Sequence, residues 1–339
     1  MRGRLYPARR ATADTIAGVA GEPGKTFFGL TPDRVLEAVE AGGLRSTGRC
    51  LPLRAFENRV YEVELEDETR VVMKFYRPGR WSRATIEDEH RFLADLAAAE
   101  VPAVAPMDLG TGTTLNEIDG ILYAGFPKVR GRTLDELDAE NRRRIGRTIG
   151  RLHAVGAARP ASNRPRLSVE RSIREPLDVL LSGDFIPGSL APRYRDIALQ
   201  IADTVAAPLA AARAQRIHGD LHWGNILWAK DGPILVDFDD CLMGPPVQDL
   251  WLLARGDTDE ARAMREDLLE GYEVFREFDR STLTLCEPLR AMRIVYMSGW
   301  IARRWEDPSF PPAFPNFRDT RYWMQEYEVL VGIAEALQH

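Results

Sequence analysis

Two kinds of hydrophobic pattern run along the chain, and the change from one to the other divides it. From Asn58 the run "NRVYEVEL" sets Tyr61, Val63 and Leu65 against Glu62 and Glu64, the period of two expected of a half-buried strand. An acidic turn follows, and "RVVMKFY" is a second run rich in β-branched and aromatic residues, so the pair predicts a hairpin. Upstream, Thr31-Pro32 reads as an N-cap with proline at the first helical position. Leu36 and Val39 mark an apolar face there, and Gly42-Gly43 stops the helix. Downstream, Thr85 to Leu96 is helical, "GILYAGF" is a strand and Pro127 to Arg132 is a connector. Helical periods then dominate, at about 138–155, 193–214, 249–276, 281–305 and 320–337. The exceptions are Ile226-Leu227-Trp228 and "PILVDF", two short strand-like runs around the turn "AKDGP". The pattern predicts an α+β, two-lobed arrangement, with a small β-rich N-terminal lobe over 26–127 and a larger, mainly helical C-terminal lobe over 128–339.

Composition narrows the function. The 339 residues, 45 % of them apolar, suffice for a large two-lobed unit. A net charge of −6 gives no general affinity for nucleic acid or an anionic membrane, and no run approaches the roughly 18 apolar residues of a membrane span. Cys50, Cys241 and Cys286 are scattered without C-x-x-C spacing, which argues against a disulfide framework and a thiolate zinc site and fits a reducing cytoplasm. The first 25 residues carry four arginines, but the apolar stretch Ile16 to Ala20 falls short of the about 7–15 residues of a signal-peptide core. A disordered extension is expected there, in preference to a transit peptide, because two acidic residues interrupt it.

Lysine is rare: of 45 basic residues only Lys25, Lys74, Lys128 and Lys230 are lysines. Lys74 lies inside the apolar run "VVMKFY", where it either snorkels to solvent from an edge strand or serves as a point charge for a phosphate. In "TIEDEHRFLADL" the stripe Ile86, Leu93, Leu96 carries Glu89 on the same face. Most helix carboxylates are solvated, but one on a core-facing stripe needs a partner, and Lys74 is just upstream.

The stretch "RIHGDLHWGNILW" concentrates the remaining chemistry. Asp220 is followed by Asn225 with four residues between, the D-x-x-x-x-N spacing of a phosphoryl-transfer loop, and twelve residues later "VDFDD" places Asp237 at the end of a β-rich run. Transfer from ATP needs a carboxylate to orient the acceptor hydroxyl and take its proton, oxygen ligands for Mg²⁺ and a lysine on the phosphates. Asp220, Asn225 with Asp237, and Lys74 supply these in order. An Asx-turn and an acidic surface turn would explain the loops without chemistry. A zinc site built on His218, Asp220 and His222 is the other reading, but it leaves Lys74 and Glu89 unexplained. His218 is expected to fix the loop by bonding backbone, His222 to shape its turn, and Asp249 to bond the loop backbone or cap its helix.

These blocks resemble a known family. "HGDLHWGN" and "VDFDD", without a G-x-G-x-x-G loop, look like the aminoglycoside phosphotransferase and choline kinase group, which has a protein-kinase-like fold. "ENRVYEVE", "VVMKFYRPGRWS", "EDEHRFLADL", "EVPAVAP", "VDFDDCLMGPPVQDLW", "EPLRAMRIVYMSGWIARRW" and "DPSFPPAFPNF" resemble the stress response kinase A family within it, from about Phe28 to Val331. The resemblance implies an ATP- and Mg²⁺-dependent serine/threonine protein kinase of the bacterial cytoplasm, associated with stress responses. It implies Asp220 as proton acceptor, Asn225 and Asp237 as Mg²⁺ ligands with Asp237 also catalytic, and Lys74 with Glu89 as the phosphate-anchoring pair. The loop before "ENRVY", with Asn58 and Arg59, would cover the nucleotide phosphates, and backbone around Phe126 to Val129 would meet the adenine. Relatives tend to carry serine just before that run, where this chain has Ala55, so a hydroxyl contact to ATP is not assumed.

The acceptor is the open question. From Pro246 to His339 there are seventeen acidic and eleven basic residues, a balance that suits a cationic small molecule such as an aminoglycoside or choline. The family blocks point to a protein hydroxyl. The partner expected is therefore a protein substrate, with no nucleic acid and no membrane, for an enzyme acting as a monomer; small-molecule phosphotransferase is the alternative. Trp251, Trp300, Trp305 and Trp323 could line the substrate cleft, although aromatics at helical spacing are usually core.

Overall fold

The computed structural model describes residues 27, 29–134, 137–256 and 258–338, so the expected N-terminal extension lies outside the described residues. The first helix, α1 (Pro32–Glu40), forms where the cap predicts it: the Thr31 hydroxyl accepts from the Arg34 backbone N–H, and Pro32 occupies the first turn. A five-stranded antiparallel sheet follows, made of β1 (Ser46–Leu53), β2 (Arg59–Leu65) and β3 (Arg70–Phe75), with helix α2 (Arg83–Ala98) preceding β4 (Asn116–Ile118) and β5 (Ile121–Pro127). Its spatial order is β1-β2-β3-β5-β4, which makes the predicted hairpin β2–β3 central. Lys74 therefore sits mid-sheet, opposite Val60 on one side and Ala124 on the other. It is 7 % exposed, which removes the snorkelling alternative.

Ser82 caps α2 by accepting from Thr85 N, and the helix joins both halves of the molecule. Ile86 packs with Tyr76 and Ala124 beneath the sheet, whereas Phe92, Leu93 and Leu96 belong to the large apolar core of the helical part. Glu89 lies between these two sets, at the joint of the lobes.

The helical part contains α3 (Ala139–Ala158), α4 (Glu175–Ser182), α5 (Ala191–Ala211), α6 (Val247–Trp251), α7 (Asp259–Glu273), α8 (Cys286–Ala302) and α9 (Thr320–Ala336). Where one helix over 249–276 was expected, Gly256 at φ +82° interrupts it and Thr258 starts a new one by accepting from Ala261 N. Helices α3 and α7 cross at backbone contact distance. A Cβ on Gly146 would lie 2.0 Å from the Leu268 carbonyl oxygen, and one on Gly271 2.0 Å from that of Arg143. Gly146→Ala must push the helices apart, so the melting temperature should fall, in line with the about 1–3 kcal/mol of an overpacked core. An unchanged thermal unfolding curve would show that the crossing yields without strain.

Four short strands position the chemistry: β6 (Gln215–Ile217), β7 (Ile226–Ala229), β8 (Gly232–Leu235) and β9 (Leu242–Gly244). They form two antiparallel ladders, β6 with β9 and β7 with β8. The loop carrying Asp220 and Asn225 leaves β6 and enters β7, and the loop carrying Asp237 leaves β8 and enters β9. The two ladders thus hold both loops side by side.

Candidate active site

A cleft of about 700 Å³ opens between the sheet and the helical part, and Lys74, Glu89, Asp220, Asn225 and Asp237 all line it. Residues separated by as many as 163 positions are brought together in this way.

The Asp220 loop is fastened from below. Both oxygens of the fully buried Asp249 carboxylate accept backbone N–H groups, from His218 and from Gly219, each at 2.8 Å. His153 Nε2 donates to the same carboxylate at 2.9 Å, and His218 Nε2 donates to the Val236 carbonyl at 2.9 Å, tying this loop to the one that carries Asp237. Gly219 has φ +84°, and a Cβ there would meet the Asp240 carbonyl oxygen at 2.4 Å, so no other residue fits before Asp220. Asn225 Nδ2 donates to the Asp220 carbonyl at 2.9 Å, leaving its Oδ1 for the cleft. His222 Nδ1 accepts from Gly224 N. Among the described residues no group of three or more histidine, cysteine or carboxylate ligands could hold a metal, which disfavours the zinc reading.

Three carboxylates surround Lys74. Its Nζ lies 3.7 Å from Glu89, 3.3 Å from Asp237 and 3.1 Å from Asp239, so the pairing expected from the helix stripe forms. Burial works against the ammonium charge, but Asp239, Glu89 and Asp237 more than offset it, and the Lys74 pKa is raised well above the ordinary lysine value. Asp239 is buried too, yet Arg80, Lys74 and Arg164 hold its pKa below the usual carboxylate range. Glu89 is left with the weakest share. It is 1 % exposed, neither oxygen accepts a hydrogen bond, and burial pushes its carboxyl up to about 7 despite Lys74.

That shift has a measurable sign. In the unfolded chain Glu89 ionises near 4.5, the ordinary value for a glutamate, whereas the folded protein keeps it protonated to about 7. The stability it contributes is present at low pH and lost as pH rises from about 4.5 through about 7. Glu89→Gln should therefore become more stable relative to wild type between pH 5 and pH 8, as read by thermal unfolding of the nucleotide-free proteins. A difference that does not change with pH would contradict the shifted carboxyl.

Asp237 contrasts with its neighbour Asp239. Its backbone is left-handed, φ +63°, and its side chain is 59 % exposed and faces the cleft. Oxygen atoms from Asn225 and Asp237 are the donor type that a hard divalent cation takes, and two protein ligands are enough where phosphates complete the shell. Asn58 also lines the cleft, with its Oδ1 accepting from Arg77 N at 3.1 Å. Arg59 does not line it; its guanidinium lies over the Phe27 ring at 5.3 Å. Phe126 to Val129 form part of the wall, as does Ala55. Of Trp251, Trp300, Trp305 and Trp323, Trp300 lines the cleft, Trp251 and Trp323 are core, and Trp305 packs partly buried against that core.

Several participants were invisible in the sequence. Arg80, in "RPGRW", pairs with Asp239 and with Asp240 (2.6 Å). Glu57, just before β2, accepts from Trp300 Nε1 (2.6 Å) and Arg304 (2.8 Å), clasping the loop above the cleft to α8. Arg293 of α8 lies 2.6 Å from Asp220.

A lysine–glutamate pair under an antiparallel sheet, above two loops bearing Asp220, Asn225 and Asp237, is the arrangement of a kinase-like phosphotransferase. The phosphotransferase enzyme family matches residues 49–285, and the chain belongs to it. Within that family it belongs with the stress response kinase A proteins: it is 39 % identical over 318 residues to stress response kinase A of Escherichia coli (strain K12), covering 92 % of this chain and 95 % of that one. It is 40 % identical over 306 residues to the serine/threonine protein kinase RdoA of Salmonella typhimurium, covering 89 % and 92 %. Among solved structures, an amicoumacin kinase in complex with AMP-PNP and Ca²⁺ shares the fold at a TM-score of 0.67 and 20 % identity, over 85 % of this chain and 93 % of that one. A spectinomycin phosphotransferase in complex with ADP and spectinomycin does so at 0.66 and 12 %, over 90 % and 98 %.

Proposed function

We propose that this kinase transfers the γ-phosphoryl of ATP, with Mg²⁺, to serine or threonine hydroxyls of a protein. The observation that carries the reading is the convergence of Lys74–Glu89, Asp220, Asn225 and Asp237 on one cleft. Lys74 meets the α- and β-phosphates, and Glu89 steadies it when the nucleotide draws it away from Asp237 and Asp239. Asp220 accepts the hydroxyl proton as the new O–P bond forms; the bond to the β-phosphate oxygen breaks and its electron pair leaves on ADP. Asn225 and Asp237 are the residues that would hold Mg²⁺, which would supply charge neutralisation at the phosphate oxygens. Asn58, in the loop above, covers the phosphates; Arg59 supports that loop from behind by its contact with Phe27.

Two observations favour a protein acceptor over an aminoglycoside-like one. The relative from Salmonella typhimurium is named a serine/threonine protein kinase. In this chain, moreover, Arg293 lines the cleft beside Asp220, and Arg255 is near enough for the Arg293 charge to add to desolvation in lowering its pKa. Cations there oppose a polycationic acceptor.

The test is transfer of label from γ-³²P-ATP to an unfolded generic protein. Labelling on seryl or threonyl residues is expected in Mg²⁺, with loss in EDTA and return on adding Mg²⁺ back. Lys74→Met, which keeps the stem and removes the charge, should lower it roughly 10²-fold. Undiminished labelling by Lys74→Met, or in EDTA, would defeat the assignment.

A further inference from the structure

The helix α8 presents Leu289, Met292, Arg293, Tyr296, Met297 and Trp300 to the cleft, the spacing of one helical face. Five of these six are apolar or aromatic, so the single charged member stands out. Arg293 lies 2.6 Å from Asp220 Oδ1, and each side chain of the pair is 24 % exposed, facing the cleft rather than bulk solvent. Among the described residues, His222 also pairs with the carboxylate, farther off at 3.7 Å from Oδ2, with its Nδ1 already engaged by Gly224. Asp220 Oδ1 is itself enclosed and has no aligned hydrogen bond, so the guanidinium charge is what faces it.

We propose that Arg293 is a positioning residue for phosphoryl transfer, pinning Asp220 Oδ1 so that Oδ2 is presented to the acceptor hydroxyl. The inference rests on Asp220 being the proton acceptor. An aspartate carboxylate turns about its last torsion with broad, roughly two-fold freedom, so without a fixed partner its two oxygens exchange and the acceptor meets a mobile base. A guanidinium is permanently charged and planar, so its charge is held in a fixed place beside the carboxylate oxygen, whereas an ammonium is a point charge on a freer stem. The loop fixes the Asp220 backbone through Asp249 and Asn225. Arg293, supplied from an element 73 positions downstream, fixes the side chain. No proton or bond changes at Arg293 during transfer; its contribution is orientation and charge.

The experiment compares the full-length wild type with Arg293→Met, Arg293→Lys, Arg293→Ala and Asp220→Asn, using saturating Mg²⁺ and ATP and an unfolded generic protein as acceptor. Misplacing a reacting group by about an ångström costs on the order of 10²-fold, so Arg293→Met should lose kcat by about that factor. The KM for ATP should stay within about twofold, because the loss falls on the transfer step rather than on nucleotide binding. Arg293→Lys should recover part of the loss, and ethylguanidinium added to Arg293→Ala should restore rate with saturation. Wild-type kcat in Arg293→Met, with Asp220→Asn inactive, overturns the inference and leaves the proton-acceptor assignment standing. Equal losses in the Met and Lys variants, accompanied by a lower melting temperature and no response to ethylguanidinium, also overturn it, as a purely structural role. Transfer retained by Asp220→Asn removes its foundation and the proposed function together.

Discussion

Asp220→Asn is expected to lower phosphoryl transfer by about 10³-fold, whichever acceptor is offered. Asparagine keeps the size of the side chain and its place on the loop, which Asp249 and Asn225 anchor through backbone groups that the substitution does not touch. What is lost is the ability to take a proton and the negative charge that Arg293 faces. Nucleotide binding should persist, since Lys74, Asn225 and Asp237 are unchanged. Initial rates of ADP formation and label transfer, beside an equilibrium measurement of ATP binding, separate the two effects. A loss under tenfold would mean that another group takes the proton.

Asp237→Asn should be nearly as severe, with transfer reduced roughly 10²- to 10³-fold and Mg²⁺-dependent ATP binding weakened. Asparagine is the informative replacement here because Asp237 has a left-handed backbone, which asparagine tolerates and alanine does not. The carboxylate is mostly exposed, so folding should be little affected, in contrast to Asp239, whose buried charge is matched by Lys74 and Arg80. Titrating ATP with and without Mg²⁺ isolates the effect: the variant should lose the Mg²⁺-dependent gain in affinity. Retention of that gain would remove Asp237 from the metal site.

The legible parts of the molecule were those that local rules decide. The cap of α1, the β2–β3 hairpin, the stripe of α2 and the β7–β8 turn each follow from residues a few positions apart. Strand β1 escaped because it lies at the sheet edge and buries neither face, so its sequence does not alternate; Pro52 is tolerated there because an edge strand spares a donor. In the site, Asp220, Asn225 and Asp237 could be singled out by spacing, and Lys74 by its position in an apolar run. Asp239, Arg80, Glu57 and Arg293 could not, since each matters only through a partner far away in sequence, such as Arg80 on Asp239 or Glu57 on Arg304. The acidic balance of the C-terminal third does not describe the cleft, for the same reason. Glu266, Glu270 and Glu273 of α7 are matched by Arg280 and Arg143 on the outer surface, whereas α8 turns Arg293 toward Asp220.

The acceptor decides the central claim most directly. Wild type, with Asp220→Asn as the blank, is supplied with Mg²⁺ and ATP, and ADP formation is timed with an unfolded generic protein or with each of a panel of aminoglycosides, choline, homoserine and sugars. A protein-hydroxyl kinase predicts ADP formation and acid-stable phosphoserine or phosphothreonine with the protein, and rates at the blank with every panel member. Rapid turnover of one panel compound, with the protein left unlabelled, would contradict it and make this chain a small-molecule phosphotransferase.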